Sequence, residues 1–455
     1  MIVAAQMMVG LDATIVNVAL PHIQSALGFS PTGLAWVFNI YTLVYGGLLL
    51  LLGGRAGDLF GRRRLFLAGV LVFTAASLLG GIAQGGAWLL SARALQGVGG
   101  AMATPNVVAL IAVNFPEGQA RTRALAVFSA ATSASLSVGM VLGGILTAWA
   151  SWRWVFFVNV PFGALVALLT PRVVRETATH PGRLDLAGAA ASVAGIAGVV
   201  YGFLRAAGSG WHDHLAQGSL AAGAVVLTVF VLLERRAAAP VMPLSLLAER
   251  TRAAAYAAFF LIPAGMFGVF YFLGLYFQDV LGYSALRGGF AFLPMTIAMF
   301  ALIRAVPRLL PRLGARTLLT AGMLLCLGGM LWLTALSPAR GYTAGLLGPM
   351  LMIGVGMGVS TVPLSVTILS GVRPQEAGAA SGMMQTMQWG GAAVGLSVLV
   401  AVFGSASRGE AAHRGASAAD AFTHGAAAGF AVGCVFVLAA LVLGALSLGR
   451  RRAAS

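Results

Sequence analysis

Apolar residues fill this chain in long runs, and the segments that interrupt them are short, glycine-bearing and rich in arginine. Runs with almost no internal charge fall at about 2–20, 34–54, 65–83, 88–112, 122–148 and 153–170, then at 186–206 and 216–233, and finally at 254–278, 288–310, 317–336, 342–369, 377–403 and 427–448. Most are about 18 to 25 residues long, the length at which a helix rising about 1.5 Å per residue crosses a hydrocarbon layer of about 30 Å. The pattern predicts about fourteen membrane-spanning helices.

Composition agrees with this pattern. Hydrophobic residues make up 59% of the 455 and charged residues 9%, against about 25% charged in a soluble domain, so no aqueous fold could hide the apolar surface. The formal charge of +16 raises the question of nucleic acid. Every basic side chain is arginine, however, and most stand in short loops, as the positive-inside rule dictates; no nucleic-acid partner is expected. With both termini in the cytoplasm, Arg62, Arg63, Arg64, Arg121, Arg123, Arg172, Arg175, Arg235, Arg236, Arg250, Arg252, Arg316 and the Arg450, Arg451, Arg452 tail fall inside. The opposite loops hold mainly Arg153, Arg205, Arg287, Arg340, Arg408 and Arg414. The chain therefore reads as a multi-pass protein of a bacterial inner (plasma) membrane. Its first run starts at Met1 without a basic segment and carries Asp12 in its middle, so no cleaved signal is expected. Cys326 and Cys434 stand alone in separate runs, which leaves neither a disulfide framework nor a metal spacing.

The loops repeat. Gly61, Arg63, Leu65, Ala68 and Gly69 find counterparts at Gly314, Arg316, Leu318, Ala321 and Gly322, and Pro116 and Glu117 at Pro374 and Glu376, both at an offset of about 250 residues. Six spans with short loops need only about 200 residues, so the surplus fits two helices inserted between repeated halves. The predicted fold is all-α: a six-helix bundle over 1–170, two extra helices and their linkers over 171–250, and a second six-helix bundle over 251–455. Halves related by an axis along the membrane normal are a transporter architecture.

Several segments carry more than hydrophobicity. After the second span the chain reads Gly54, Arg55, Ala56, Gly57, Asp58, Leu59, Phe60, Gly61, Arg62, Arg63, Arg64. Glycines there permit a tight reversal, and a carboxylate among cations can pair across a bundle or sit at a helix N-terminus; topogenic arginines beside a loop acid are the plainer alternative. The first span contains Leu11, Asp12, Ala13, Thr14, Ile15, Val16, Asn17, Val18, Ala19, Leu20 and Pro21, and the fourth Arg93, Gln96, Gly97, Gly99 and Gly100. The fifth contains Gly139, Met140, Gly143 and Gly144, and Trp152, Arg153, Trp154, Phe156, Phe157, Asn159 and Pro161 follow it. In this combination the chain resembles the major facilitator superfamily. The loop is similar to its GxLxDRxGRR signature, with Ala56 and Leu59 in place of Leu and Arg, and the fourth span to its RxxQGxGG signature. The first span and the tryptophan segment resemble LDxTIVNVALP and WRWxFxxNVP of the fourteen-span drug:proton antiporters of the QacA/EmrB type. The resemblance implies a cytoplasmic gate at Gly54, Asp58, Gly61, Arg62 and Arg63 that latches during alternating access; Pro311 stands where Asp58 would align in the second half. Exporters of this superfamily usually show GPxxGG in the fifth span. Here Gly139, Gly143 and Gly144, like Gly97, retain the small residues for close packing and rocking of helices, and Met140 replaces the proline.

Asp12 is the one acid read as deep in the bilayer, where a charge costs at least about 2.5 kcal/mol unless paired, hydrated or protonated. Burial raises a carboxyl pKa and a nearby cation lowers it, the two levers of a proton carrier; a purely structural ion pair is the alternative. Arg93 reaches a similar depth from the same side, so Asp12 and Arg93 are the expected proton-coupling pair. Thr14, Asn17 and Pro21 share a stripe roughly 200° around the helix from Thr14's neighbour Asp12 and read as an interhelical packing face, with a cavity role for Thr14 and Asn17 as the other option. Gln96, Gln385, Gln388 and Trp389 complete the candidates for a substrate cavity, although interhelical hydrogen bonds would suit Gln385 and Gln388 equally. His212, Asp213 and His214 lack a fourth ligand at suitable spacing and read as solvated; no metal and no cofactor is expected.

The function the resemblance implies is proton-coupled export of small hydrophobic compounds such as antibiotics or drugs, by alternating access about a midplane cavity. Protons, a lipophilic substrate and membrane lipid are the expected partners, and a monomer the working unit; a periplasmic adaptor is left open. Spans rich in Phe, Met, Trp and Leu suit a neutral or monocationic ligand. Met140 favours a second reading, an uptake symporter or facilitator for a small metabolite on the same fold, which would call for more embedded polar groups. A membrane-embedded enzyme would need a paired base and nucleophile or a metal cluster, and the sequence offers none.

Overall fold

The computed structural model describes residues 1–51, 56–115, 118–176, 185–237, 242, 244–372, 376–412 and 417–448. Gly54, Arg55, Pro116, Glu117, Pro374, Arg414 and the Arg450, Arg451, Arg452 tail lie outside the described residues. The described chain is helical and contains no strand. Its helices are α1 (Ile2–Leu27), α2 (Ala35–Leu51), α3 (Gly57–Phe60), α4 (Arg62–Gly81), α5 (Gly86–Asn114), α6 (Gln119–Trp149), α7 (Trp154–Phe157), α8 (Asn159–Val173), α9 (Leu186–Ser209) and α10 (His214–Arg236). They continue as α11 (Arg250–Leu275), α12 (Ala285–Ala291), α13 (Leu293–Leu333), α14 (Tyr342–Gly345), α15 (Leu347–Leu369), α16 (Ala377–Ala411) and α17 (Ala418–Leu448).

Among the described residues eleven helical segments are long and apolar enough to cross a membrane, and Ala35–Leu49 and Val138–Trp149 are shorter apolar helices. The segment Ala285–Leu333 contains a break at Gly314. Prolines interrupt several of them, Pro21 in α1, Pro105 in α5, Pro263 in α11 and Pro363 in α15. Neighbouring helices in lipid re-satisfy the backbone groups that such prolines free.

The chain divides into two compact units, the first comprising Met1–Ala197, Gly223–Met242 and Ser284–Phe290 and the second Gly198–Ala222, Pro243–Tyr283 and Ala291–Ser455. In the first, α4 packs on α5 and α8, α2 on α5, and α1 on α5, α6 and α8. Lipid tails are as apolar as leucine, so helices in a bilayer associate through close van der Waals fit, and small residues set how near they come. A Cβ on Gly99 would stand 2.5 Å from the Phe73 amide nitrogen and 2.7 Å from the Gly69 carbonyl oxygen. One on Gly97 would stand 2.9 Å from the Tyr41 carbonyl oxygen, and one on Gly143 2.5 Å from that of Ile15. Gly139 admits the Thr14 hydroxyl, and Gly144 lies against the Ala285 carbonyl oxygen, 2.8 Å from where its Cβ would be. The fifth-span glycines thus keep their packing work without the proline.

In the second unit α13 runs along α15, α11 packs on α16 and α17, and α13 on α17. Here a Cβ on Gly356 would stand 2.5 Å from the Gly322 carbonyl oxygen. The sequence repeat therefore has a backbone counterpart. Gly61 (φ 92°) and Gly314 (φ 75°) both turn the chain through positive φ, which glycine alone adopts without strain. Gly69 and Gly322, one repeat apart, each stand at a close helix crossing: a Cβ on Gly69 would lie 2.7 Å from the Gly99 carbonyl oxygen, and one on Gly322 2.7 Å from that of Gly356.

Gly99→Ala should lower stability by about 1–3 kcal/mol, because a new methyl group meets backbone that cannot move aside. Gly218→Ala is the matched control: nothing lies within 4 Å of a Cβ there, and the helix should hold or gain up to about 1 kcal/mol. Thermal midpoints of the two purified variants by tryptophan fluorescence test this, and equal midpoints would refute the packing argument.

Candidate functional site

Five helices of the first unit converge on one carboxylate. Asp12 on α1 is completely buried, and Arg93 and Gln96 stand one turn apart on the same face of α5, with relative exposures of 1% and 0%. The Asp12 Oδ2 atom is ion-paired with Arg93 Nη1. Its Oδ1 atom accepts from Gln96 Nε2 at 2.9 Å and from Asn159 Nδ2, at the start of α8, at 3.2 Å. Gln96 Nε2 also donates to Ser77 Oγ of α4 at 2.8 Å, and Gln96 Oε1 accepts from Arg93 Nη1 at 3.0 Å. From α2, the Val37 carbonyl accepts from Arg93 Nε at 3.0 Å, and the Tyr41 ring centroid lies 4.3 Å from the guanidinium carbon.

This arrangement surrounds the Asp12 carboxyl with donors. Taking two charges out of water costs several kcal/mol per ion, which close pairing repays only when the remaining donors and acceptors are satisfied; Gln96, Asn159, Ser77 and Val37 contribute to that here. Of the two amide contacts to Oδ1, that of Asn159 is the longer.

The sequence placed Asp12 and Arg93 as partners, and the structure brings them together. Gln96, assigned to a substrate cavity, is instead bonded within the cluster. Tyr41 and Ser77 carried no signal of their own beyond being polar residues in apolar runs, and Asn159 stood in the tryptophan segment without a role assigned to it. Thr14 donates to the Leu11 carbonyl within its own helix at 3.2 Å and packs against Gly139; Asn17 is buried.

A second cluster surrounds the Gly61 turn. The Asp58 backbone belongs to α3. Arg63 Nη1 donates to the Val174 carbonyl at 3.2 Å, at the end of α8, while Glu176 Oε1 accepts from the Arg63 amide at 2.9 Å, at the start of α4. Glu176 Oε2 lies 3.7 Å from Arg63 Nε and 3.8 Å from Arg64 Nε. Each charge thus sits at the helix end whose dipole it complements. Glu176 escaped the sequence reading because nothing in a basic loop marks which helix end an acid will face. An apolar cavity of about 930 Å³ opens at this end of the unit, lined by Ile2, Ile111, Phe115, Val127 and Val173 with Arg123 and Arg175 beside them.

In the second unit Gln388 lines a cleft of about 60 Å³ with Phe259, Pro263, Met357 and Thr361. Trp389 packs on Phe267 with ring centroids 5.9 Å apart, and Gln385 is partly buried one turn before Gln388. Asp213 lies just before α10, where its Oδ1 accepts from the Ala216 amide at 2.9 Å, and its Oδ2 lies 3.1 Å from Arg205 Nη2. The Arg205 hydrogen bond and then that amide hold its carboxyl below the usual range. Among the described residues, no group of three His, Cys, Asp or Glu side chains is placed to hold a metal ion.

Residues 2–396 match the profile of the Major Facilitator Superfamily. The chain belongs to this superfamily. Among its relatives, the cephamycin export protein of Amycolatopsis lactamdurans is 40% identical over 96% of this chain and 90% of its own length. The puromycin resistance protein of Streptomyces alboniger is 42% identical over 97% and 89%, and the lincomycin resistance protein of Streptomyces lincolnensis 33% identical over 87% and 82%. A solved structure of a bacterial homolog to the human lysosomal transporter Spinster, inward-facing and unoccupied, shares the fold with a TM-score of 0.65, at 16% identity over 98% of this chain and 95% of that one. As a major facilitator protein the chain is a multi-pass membrane transporter rather than an enzyme.

Asp12→Asn alone strands a buried guanidinium and should cost about 3–5 kcal/mol. Adding Arg93→Met removes the stranded charge and should recover most of that loss. A double-mutant cycle on thermal midpoints in detergent reads the coupling; simple additivity would show that the two side chains do not depend on each other.

Proposed function

We propose that this protein is a proton-coupled exporter of small hydrophobic compounds, of the fourteen-span drug:proton antiporter type. It works as a monomer in a bacterial inner membrane, with both termini cytoplasmic. The observation that carries the reading is the Asp12–Arg93 cluster: a buried carboxylate, held by one cation and two side-chain amides, in a span otherwise free of charge. A structural pair would serve as well with fixed donors, but here proton uptake must break a specific contact, which is what couples a proton to a change of shape. Relatives named for cephamycin export and for puromycin and lincomycin resistance support export of antibiotic-like molecules.

In this reading Asp12 and Arg93 carry the proton step. Asp58, Gly61, Arg62 and Arg63, joined by Glu176, form the cytoplasmic latch that opens and closes in alternating access, and Gly54, outside the described residues, belongs to the same signature in the sequence. Gly97, Gly139, Gly143 and Gly144 are the close contacts about which helices rock. Gln385, Gln388 and Trp389, with the Phe259 and Met357 cleft, contribute to a mainly apolar substrate cavity suited to a neutral or monocationic compound, and Thr14 and Asn17 serve packing.

Purified protein in acid-loaded liposomes tests this directly. Puromycin or lincomycin should trigger proton release from the wild type, and Asp12→Asn should reduce that release at least about tenfold, the loss of one coupling group costing 1.4 kcal/mol or more. Wild-type release by the variant would remove Asp12 from the proton step, and silence with every compound of a lipophilic panel would favour uptake or facilitation, the reading that Met140 suggests.

A further inference from the structure

Arg93 poses a problem that Asp12 does not. Under the proton-coupled reading, on which this inference rests, Asp12 becomes neutral once per cycle, and Arg93, 1% exposed, then loses its carboxylate while remaining charged. A guanidinium stays protonated under all relevant conditions, and a buried cation without compensation is strongly disfavoured. It must either leave the site or be held there by something other than Asp12.

The remaining contacts are few. The Val37 carbonyl and Gln96 Oε1 accept one hydrogen bond each, at 3.0 Å. The Tyr41 ring lies beneath the guanidinium at 4.3 Å, well within cation–π range, while the Phe156 ring at 6.0 Å is at its limit. Tyr41 is completely buried and its hydroxyl has no hydrogen-bond partner among the described residues, so its face rather than its polar end makes the contact. The ring is fixed from behind by Tyr45, parallel to within 5° at 5.7 Å. It is fixed along the chain by Gly97, which lets α5 approach the Tyr41 carbonyl so closely that a Cβ would stand 2.9 Å away.

We propose that Tyr41 is the positioning residue that keeps the Arg93 guanidinium in the site, through its ring face, while Asp12 carries a proton. The cation then stays put through the cycle, and the carboxylate that re-forms finds it in place. The charged and titratable groups facing the pair among the described residues are few. Asp12 comes from α1, Tyr41 and Tyr45 from α2 and Arg93 from α5; Ser77 of α4, Gln96 of α5 and Asn159 of α8 are neutral. Arg153, the next cation along the chain segment that leads into α7, is committed to the Gly81 and Ala83 carbonyls at 2.9 and 2.7 Å. Removing the ring therefore penalises the state with neutral Asp12 and charged Arg93 more than the ion-paired state. Asp12 should take up its proton only at lower pH.

Infrared difference spectroscopy of the reconstituted full chain reads this without transport: the protonated carboxyl band that disappears in Asp12→Asn is titrated against pH. Tyr41→Leu should move its midpoint down by about 1 pH unit, the size of a desolvated cation–π contact. Tyr41→Phe, which keeps the face, should stay within about 0.3 unit of wild type. Should Tyr41→Leu fail to fold, phenylalanines of rising fluorine content at position 41 preserve the shape and weaken the face, and the midpoint should fall stepwise along the series. A Leu midpoint equal to wild type, a Phe midpoint displaced as far as Leu, or a flat fluorine series would each overturn the proposal for Tyr41 alone. Absence of any Asp12-dependent band in the wild type would overturn the proton-coupled reading, and this inference with it.

Discussion

Two opposite charges removed from water constrain the first unit more than any other interaction in it. An isolated carboxylate or guanidinium in hydrocarbon is so costly that the helices around the pair have little freedom of position. The contact needs α1 and α5 at one depth, α8 to begin where Asn159 reaches Oδ1, α4 to bring Ser77 to Gln96, and α2 to lay a carbonyl and a ring against Arg93. Glycines bring backbones close around the pair: Gly97 lets α5 approach the Tyr41 carbonyl of α2, and Gly139 and Gly143 let α6 approach α1.

Much of this was legible in the sequence, and the limits have physical causes. Charge in an apolar run is conspicuous because its cost is large, so Asp12 and Arg93 declared themselves by contrast. Hydropathy likewise located the spans, since length and charge exclusion are all a bilayer asks. Neutral polar residues give no such contrast. Ser77, Asn159 and Tyr41 look like residues that bond to their own helix, as Thr14 does, and only three-dimensional placement separates the two fates. Gln96 shows the same limit from the other side: its helical face follows from the spacing to Arg93, but not which group occupies the space in front of it. Glu176 lay in a loop, where periodicity carries no information.

The internal repeat was legible for a different reason. Positive φ and backbone contact between helices both exclude side chains, so Gly61, Gly69, Gly314 and Gly322 survive as a readable trace of two units built alike. The halves differ where chemistry was added. The second has Pro311 in place of the acid, and its polar side chains line a small cleft beside aromatic rings rather than a charge pair. In the proposed reading, proton handling falls to the first unit, and the cleft of the second contributes contacts for an apolar ligand.

The distance in sequence between the paired charges bears on how the protein is made. Asp12 precedes Arg93 by 81 residues and Asn159 by 147, so α1 is synthesised long before either partner exists. A helix entering the membrane alone with an ionised acid at its centre pays about 2.5–3.5 kcal/mol. Until α5 and α8 arrive, the α1 carboxyl has neither its cation nor its side-chain amide donors, and the apolar residues of its own helix have to offset that cost. The closing of the ion pair is thus the point at which the first helices gain a contact that none of them can make alone.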